Sequence, residues 1–133
     1  MNQYKGFKEP ECYKHGRELR KSISTLSQKF PKEEKFELIS QMKRSSRSVT
    51  ANIAEGYGRF TYADTRHFFI IARGSVTETI EHLLTAFDEK YISQEELDIQ
   101  TSHCETVFKL INGFIGYLDK SRLKKSIAPI PNS

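Results

Sequence analysis

Residues 61–87 read TYADTRHFFIIARGSVTETIEHLLTAF, and within them Phe69, Ala72, Val76, Ile80, Leu83 and Phe87 recur at steps of three and four. That period places apolar side chains on one side of an α-helix, whereas a strand would alternate at every second residue. Some 27 residues at helical rise give roughly 40 Å of helix, well beyond the usual length of a strand. Thr61 opens the run, with Asp64 three residues on in the sense of a loose capping box.

The same reading extends in both directions. Downstream, Ser93 and Glu96 have the spacing of a complete capping box, ahead of a helix that carries Leu97, Cys104, Phe108, Ile111, Ile115 and Leu118. Upstream, Ile39, Met42, Ser46, Val49 and Ile53 mark a second helix that stops near Gly56 to Gly58. Lys32-Glu33-Glu34 is expected as its first turn, because acids suit a helix N-terminus. The first helix reads Cys12, Gly16, Leu19, Ile23 and Leu26, and ends at Phe30-Pro31, where proline disfavours helix in the residue before it. Connections of about three to six residues favour antiparallel neighbours. The expectation is an all-α chain, an antiparallel up-and-down four-helix bundle over residues 1–123, followed by a disordered tail at 124–133 that contains Pro129 and Pro131.

Composition fits one domain. At 133 residues, about two-thirds of the extended chain's surface can be buried, so neither a disulfide nor a metal is needed to hold the core. No apolar run is long enough to span a membrane, and the start, MNQYKGFKEPE, lacks the hydrophobic region of a signal peptide. A cytoplasmic protein without membrane association is expected, with Cys12 and Cys104 as reduced thiols in helical, apolar positions. The net charge is +4, and residues 1–32 carry the excess, with eight Lys and Arg against three Asp and Glu.

The side chains outside the apolar stripes are more specific. In the second helix Gln41, Ser48, Asn52, Glu55 and Arg59 fall within about 60° of each other, beside the core face. Ser and Asn are poor choices for a helix interior, so such a stripe calls for a partner. Lys43, Arg44 and Arg47 lie next to it, and three cations so close repel one another. Either the stripe seals a helix–helix or subunit contact and acids neutralise the cations, or the cations hold phosphates, for which guanidinium forks are suited. Lys14, Arg17 and Lys21 make a comparable strip on the first helix. Phe68 and Ile71 point away from Phe69 and Ala72, and small residues Gly74 and Ser75 follow, as if another helix approached there from a second subunit.

Catalytic and metal chemistry find no support. Carboxylate-bridged metals in helical bundles need inward Glu and repeated Glu-x-x-His pairs, and Asp64 to His67 is a single imperfect copy. Glu78 and His82 are one turn apart and are expected to face outward. His15, His67, His82 and His103 stand isolated, no Ser or Cys has a nucleophile context, and Gly56-Tyr57-Gly58 follows no strand. The expectation is a protein with no catalytic residues, no metal and no cofactor.

Three runs together, KFPKEEKFELIS, QMKRSSRSVTANIAEGYGR and FFIIARGSVTETIEHLL, resemble the four-helix-bundle proteins encoded in intervening sequences of bacterial 23S ribosomal RNA genes, also labelled S23 ribosomal proteins. The resemblance spans roughly Phe7 to Leu118 and rests on Phe30-Pro31, Leu38, Gln41, Arg44, Ser48, Asn52 to Gly56, Arg59, Ala72, Gly74 and Ser75. It implies a homopentamer of bundles with a basic surface. A relative that is an accessory protein of diversity-generating retroelements associates with RNA and a reverse transcriptase. Tyr13 stands where Trp is frequent in the family, and the third helix is acidic.

The resulting expectation is a non-enzymatic, self-assembling scaffold that binds RNA or DNA through phosphate contacts from Lys43, Arg44, Arg47, Arg59, Arg17 and Lys21. In it Gln41, Ser48, Asn52, Glu55, Gly56, Phe68 and Ile71 form oligomer contacts or a structural polar stripe. The alternative is an adaptor that docks a partner protein without touching nucleic acid. A polar network sealed at subunit contacts would favour the adaptor, and exposed cations along a groove would favour the nucleic acid.

Overall fold

The computed structural model describes residues 10–127. It contains four helices, α1 (Glu11–Ser27), α2 (Leu38–Tyr57), α3 (Tyr62–Asp88) and α4 (Gln94–Ile127), with a 3-10 turn at Lys32–Glu34. α1 and α3 each pack against α2 and α4, and Tyr57 of α2 reaches Phe114 of α4 across the diagonal with ring centroids 6.3 Å apart. The arrangement is the expected all-α, up-and-down bundle.

The apolar stripes fill its centre. Cys12, Gly16, Leu19, Ile23 and Leu26 of α1 are buried, as are Met42, Ser46, Val49 and Ile53 of α2. α3 and α4 add Phe69, Ala72, Val76, Leu83, Cys104, Val107 and Ile111. Phe69 is wholly buried and its ring stacks on Phe114 at 4.4 Å between centroids. A side chain of this size is worth about 1.5–3 kcal/mol when removed from water. The glycine in α1 permits close approach, since a Cβ on Gly16 would lie 3.2 Å from the Thr50 methyl of α2.

The helix ends are made as their chemistry requires. Ser93 and Glu96 form the reciprocal capping box, with Glu96 N–H donating to Ser93 Oγ at 3.1 Å and Ser93 N–H donating to Glu96 Oε1 at 2.9 Å. Thr61 accepts from Asp64 N–H at 3.1 Å. α3 ends in a tight reversal, where Lys90 takes a left-handed conformation with φ 67° and Tyr91 N–H reaches back to the Ala86 carbonyl at 2.9 Å. Glycine is the usual residue there, and lysine accepts the position at a cost of about 1–2 kcal/mol.

Two boundaries differ from the sequence reading. Lys32-Glu33-Glu34 is not the first turn of α2. After an extended Pro31 these residues form their own 3-10 turn, and α2 starts at Leu38. Glu34 explains the break, because its carboxylate accepts from Leu38 N–H at 3.2 Å and from the Tyr91 phenol at 2.7 Å. The hydrogen bond to Glu34, with some burial, holds the Tyr91 hydroxyl up at a pKa of about 12. The other difference is α4, which runs to Ile127, four residues into the expected tail. The rest of that tail, 128–133, lies outside the described residues.

The connectors at this end of the bundle are tied to each other. Phe30 packs on Tyr91 with ring centroids 5.4 Å apart, and Lys29 pairs with Glu96 across α1 and α4. Toward the opposite end Arg66 pairs with Asp119 at 2.7 Å, and Tyr57 and Phe69 both meet the Phe114 ring.

Candidate nucleic-acid interface

The polar stripe of α2 divides into three parts with different roles. Ser48 and Asn52 lie in the α2–α3 seam. Asn52 Nδ2 donates to the Ser48 carbonyl at 2.8 Å and to Ser48 Oγ at 2.9 Å, while Ser75 Oγ of α3 meets Ser48 Oγ at 2.8 Å. Glu55 and Arg59 form an ion pair at the surface, and the Arg59 guanidinium lies 4.7 Å from the centre of the Phe68 ring. Gln41 is exposed and joins neither group. Buried beside Ser48 is a pair the sequence reading missed, Ser45 Oγ and Thr79 Oγ1, 2.8 Å apart and wholly enclosed. This network is sealed within one chain, so it spends its hydrogen bonds on the fold.

Phe68 was expected to face a second subunit. It is instead half-buried against Gly56, where a Cβ would come within 2.9 Å of the Phe68 Cβ, and under Arg59. Ile71 remains exposed, as expected. His82, expected to face outward, is tucked between α2 and α3, with its side chain 12% exposed and Nε2 3.2 Å from Glu78. Glu78 also takes the Arg44 guanidinium at 2.6 Å. The reason is geometric: α3 is wider in its contact with α2 than a single stripe, so positions flanking the stripe become shared surface.

The expected cations therefore separate by what faces them. Arg44 and Arg59 have acidic partners, and Lys21 lies 3.7 Å from Glu18. Arg17, Lys43 and Arg47 have no acidic partner among the described residues. Arg20, which the sequence reading did not single out, bridges α1 to α2 by donating to Thr50 Oγ1 at 2.9 Å. Arg17, one turn before it on α1, is exposed. A groove of about 390 Å³ continues this seam past Lys43, with an apolar floor of Phe30 and Ile39 and a rim of Lys32 and Lys35. No acid lines that groove.

The described residues contain no group of three or more His, Cys, Asp or Glu placed to hold a metal. His15 and His103 meet across α1 and α4 with ring centroids 6.4 Å apart. Burial and the charge of His15 hold His103 below the usual histidine range. Cys12 and Cys104 are both buried and unbridged. Burial pushes their thiols up to about 11 and about 12. Among the described residues no helix is long and apolar enough to cross a membrane.

Comparison with known proteins places this arrangement. Residues 8–113 match the family described as 23S rRNA-intervening sequence protein. Among solved structures, a protein of unknown function from the S23 ribosomal protein family of Bacteroides thetaiotaomicron is 25% identical, with a TM-score of 0.73 over 79% of this chain and 95% of that one. No curated protein matches the chain.

Proposed function

We infer the role from one premise: the chain belongs to the family of 23S rRNA-intervening sequence proteins. Its reading here is a non-catalytic, cytoplasmic, self-assembling scaffold that holds nucleic acid, RNA before DNA, by its phosphate backbone. The observation that carries it is the set Arg17, Lys43 and Arg47 along the α1–α2 seam, with no acidic partner among the described residues. A cation left without a partner beside other cations raises the energy of the free protein, and a phosphate chain relieves that repulsion.

Self-assembly makes the surface effective. One chain at +4 attracts a polyanion weakly, whereas five copies total 5 × 4 = +20. Exposed Ile71, Leu84 and Ile99 supply apolar area for contact between copies. The homopentamer implied by the family resemblance is the assembly proposed. The adaptor reading loses its main support, because Ser48, Asn52 and Ser75 are satisfied by one another inside the chain.

A titration across salt tests the proposal. Affinity for a fluorescein-labelled RNA is expected to fall steeply from 50 to about 200 mM salt, and Lys43→Ala/Arg47→Ala is expected to weaken binding and flatten the salt dependence. Affinity indifferent to salt, or to the double substitution, refutes it. The mass of the assembly in solution tests the oligomer separately.

A further inference from the structure

The sites that hold phosphates leave open whether the nucleic acid is duplex or single-stranded, and two exposed aromatic residues bear on this. Phe36 precedes α2 and is 84% exposed, while Phe60 follows α2 and is fully exposed. An apolar ring in water gains nothing for the fold, and it offers a flat face to a partner. The two rings stand at opposite poles of the bundle, because α2 runs between them.

Charge distinguishes them. Phe36 lies at the pole that holds the α3–α4 turn, where residues 78–98 carry seven Asp and Glu against the single cation Lys90. Glu33 and Glu37 are exposed near the Phe36 ring, and the Lys35 ammonium already sits over it at 5.4 Å. Lys29, Lys32 and Lys35 lie at that pole as well, so Phe36 is set apart by the cation already on its ring and by its flanking acids rather than by the field of the whole pole. Among the described residues no ring stacks on Phe60 and no cation sits over it, while Arg59 and Tyr62 line the shallow pocket at its side. Arg59 precedes Phe60, its charge matched by Glu55, and residues 108–123 of α4 bring Lys109, Lys120 and Arg122 against Asp119.

A continuous path joins Phe60 to the phosphate-holding residues. At 100° per residue Lys43, Arg47, Ala51 and Ala54 fall in a sector of about 80° on the outer side of α2. No acid occupies that sector, and beyond Arg47 its residues are small, ending at Gly58. From Lys43 to the end of α2 the path is roughly 20 Å long. Cations at its start and a free aromatic face at its end are the pattern of single-strand binding, where the backbone follows a basic groove and bases stack on rings. In a duplex the bases are stacked on one another and have no free face for such a ring.

We propose that this protein binds an unpaired nucleotide strand, RNA or DNA, laid along the outer face of α2 with its backbone on Lys43 and Arg47 and a base stacked on Phe60. The proposal rests on the nucleic-acid reading above and specifies its ligand.

The test is fluorescence anisotropy on the full chain with labelled oligo(U) and oligo(dT) 12-mers and a matched 12-base-pair duplex, for the wild type, Phe60→Ala and Phe36→Ala. Both rings are solvent-exposed, so neither substitution threatens folding. The single strands are expected to bind more tightly than the duplex, and Phe60→Ala to weaken them about ten-fold. Phe36→Ala is expected to change nothing, and Asp64→Asn, which removes a negative charge in the first turn of α3, to tighten binding slightly. Preference between oligo(U) and oligo(dT) separates RNA from DNA. Equal binding of strand and duplex with Phe60→Ala silent overturns this proposal and leaves phosphate binding standing. Failure of every oligonucleotide to bind at low salt overturns both.

Discussion

Gly56 and Phe68 share a volume that only one side chain can occupy: a Cβ on Gly56 would stand 2.9 Å from the Phe68 Cβ and 3.0 Å from the Phe69 ring. These neighbours are backbone-proximal or fully packed, so neither gives way cheaply. Gly56→Ala is expected to destabilise the fold by about 1–3 kcal/mol, despite alanine's better helix propensity. Gly113→Ala, whose Cβ would meet nothing within 4 Å, is expected to stabilise by about 0.5–1 kcal/mol. Urea unfolding of the two variants under identical conditions checks both, and a stabilised Gly56→Ala contradicts the packing described.

The buried hydroxyl pair Ser45 and Thr79 lends itself to a double-substitution cycle. Thr79→Val strips Ser45 of its 2.8 Å partner and leaves it the Met42 carbonyl at 3.2 Å. Each single change, Thr79→Val or Ser45→Ala, is expected to cost about 1–2 kcal/mol. The double variant should lose less than the two combined, by about 0.5–1 kcal/mol. Strict additivity means the hydroxyls do not interact.

Acid should loosen the α1–α4 seam. His103 lies below its ordinary pKa in the folded state, through burial first and the His15 charge second, while Glu18 opposes the shift. The unfolded chain thus takes up a proton at higher pH than the native one. Stability from this site is full above the unfolded value near 6.5 and declines as pH falls from there toward the lowered native value. His103→Gln should remove that part of the pH dependence between pH 8 and 5, measured as denaturant midpoints. Glu96 is held below its ordinary value by Lys29, so its loss belongs to a separate, more acidic window.

Both thiols should resist labelling. With Cys12 and Cys104 buried and shifted to about 11 and about 12, almost no thiolate exists near pH 8. Iodoacetamide is expected to modify neither residue in the native protein and both in urea, read by intact mass. Rapid native modification of Cys104, fully enclosed by the core, indicates an opening not present in this structure.

The apolar period carried the fold. Leu19, Met42, Val76 and Ile111 are buried where steps of three and four put them. The start of α2 could not be read that way, since Glu34 finds Tyr91, a residue 57 positions away, and no local pattern contains that bond. The same limit applies to charge. Arg44 and Arg47 look alike in sequence, and Glu78, brought in by α3, is what neutralises one and leaves the other. Ser45 and Thr79 had a signal that went unused: both lie at helical spacing from seam residues, Ser48 and Ser75, that the polar stripe had already drawn into view.

The ties among Phe30, Tyr91, Glu34, Lys29 and Glu96 fasten the α1–α2 connector to the turn between α3 and α4 and the start of α4. Two segments that hold one another must let go together, so local opening at this pole is one cooperative event rather than two. Amide exchange in residues 29–37 and 89–96 should therefore respond together to Tyr91→Phe. This tie acts as a hasp: releasing Tyr91 from Glu34 also frees the carboxylate that fixes the start of α2.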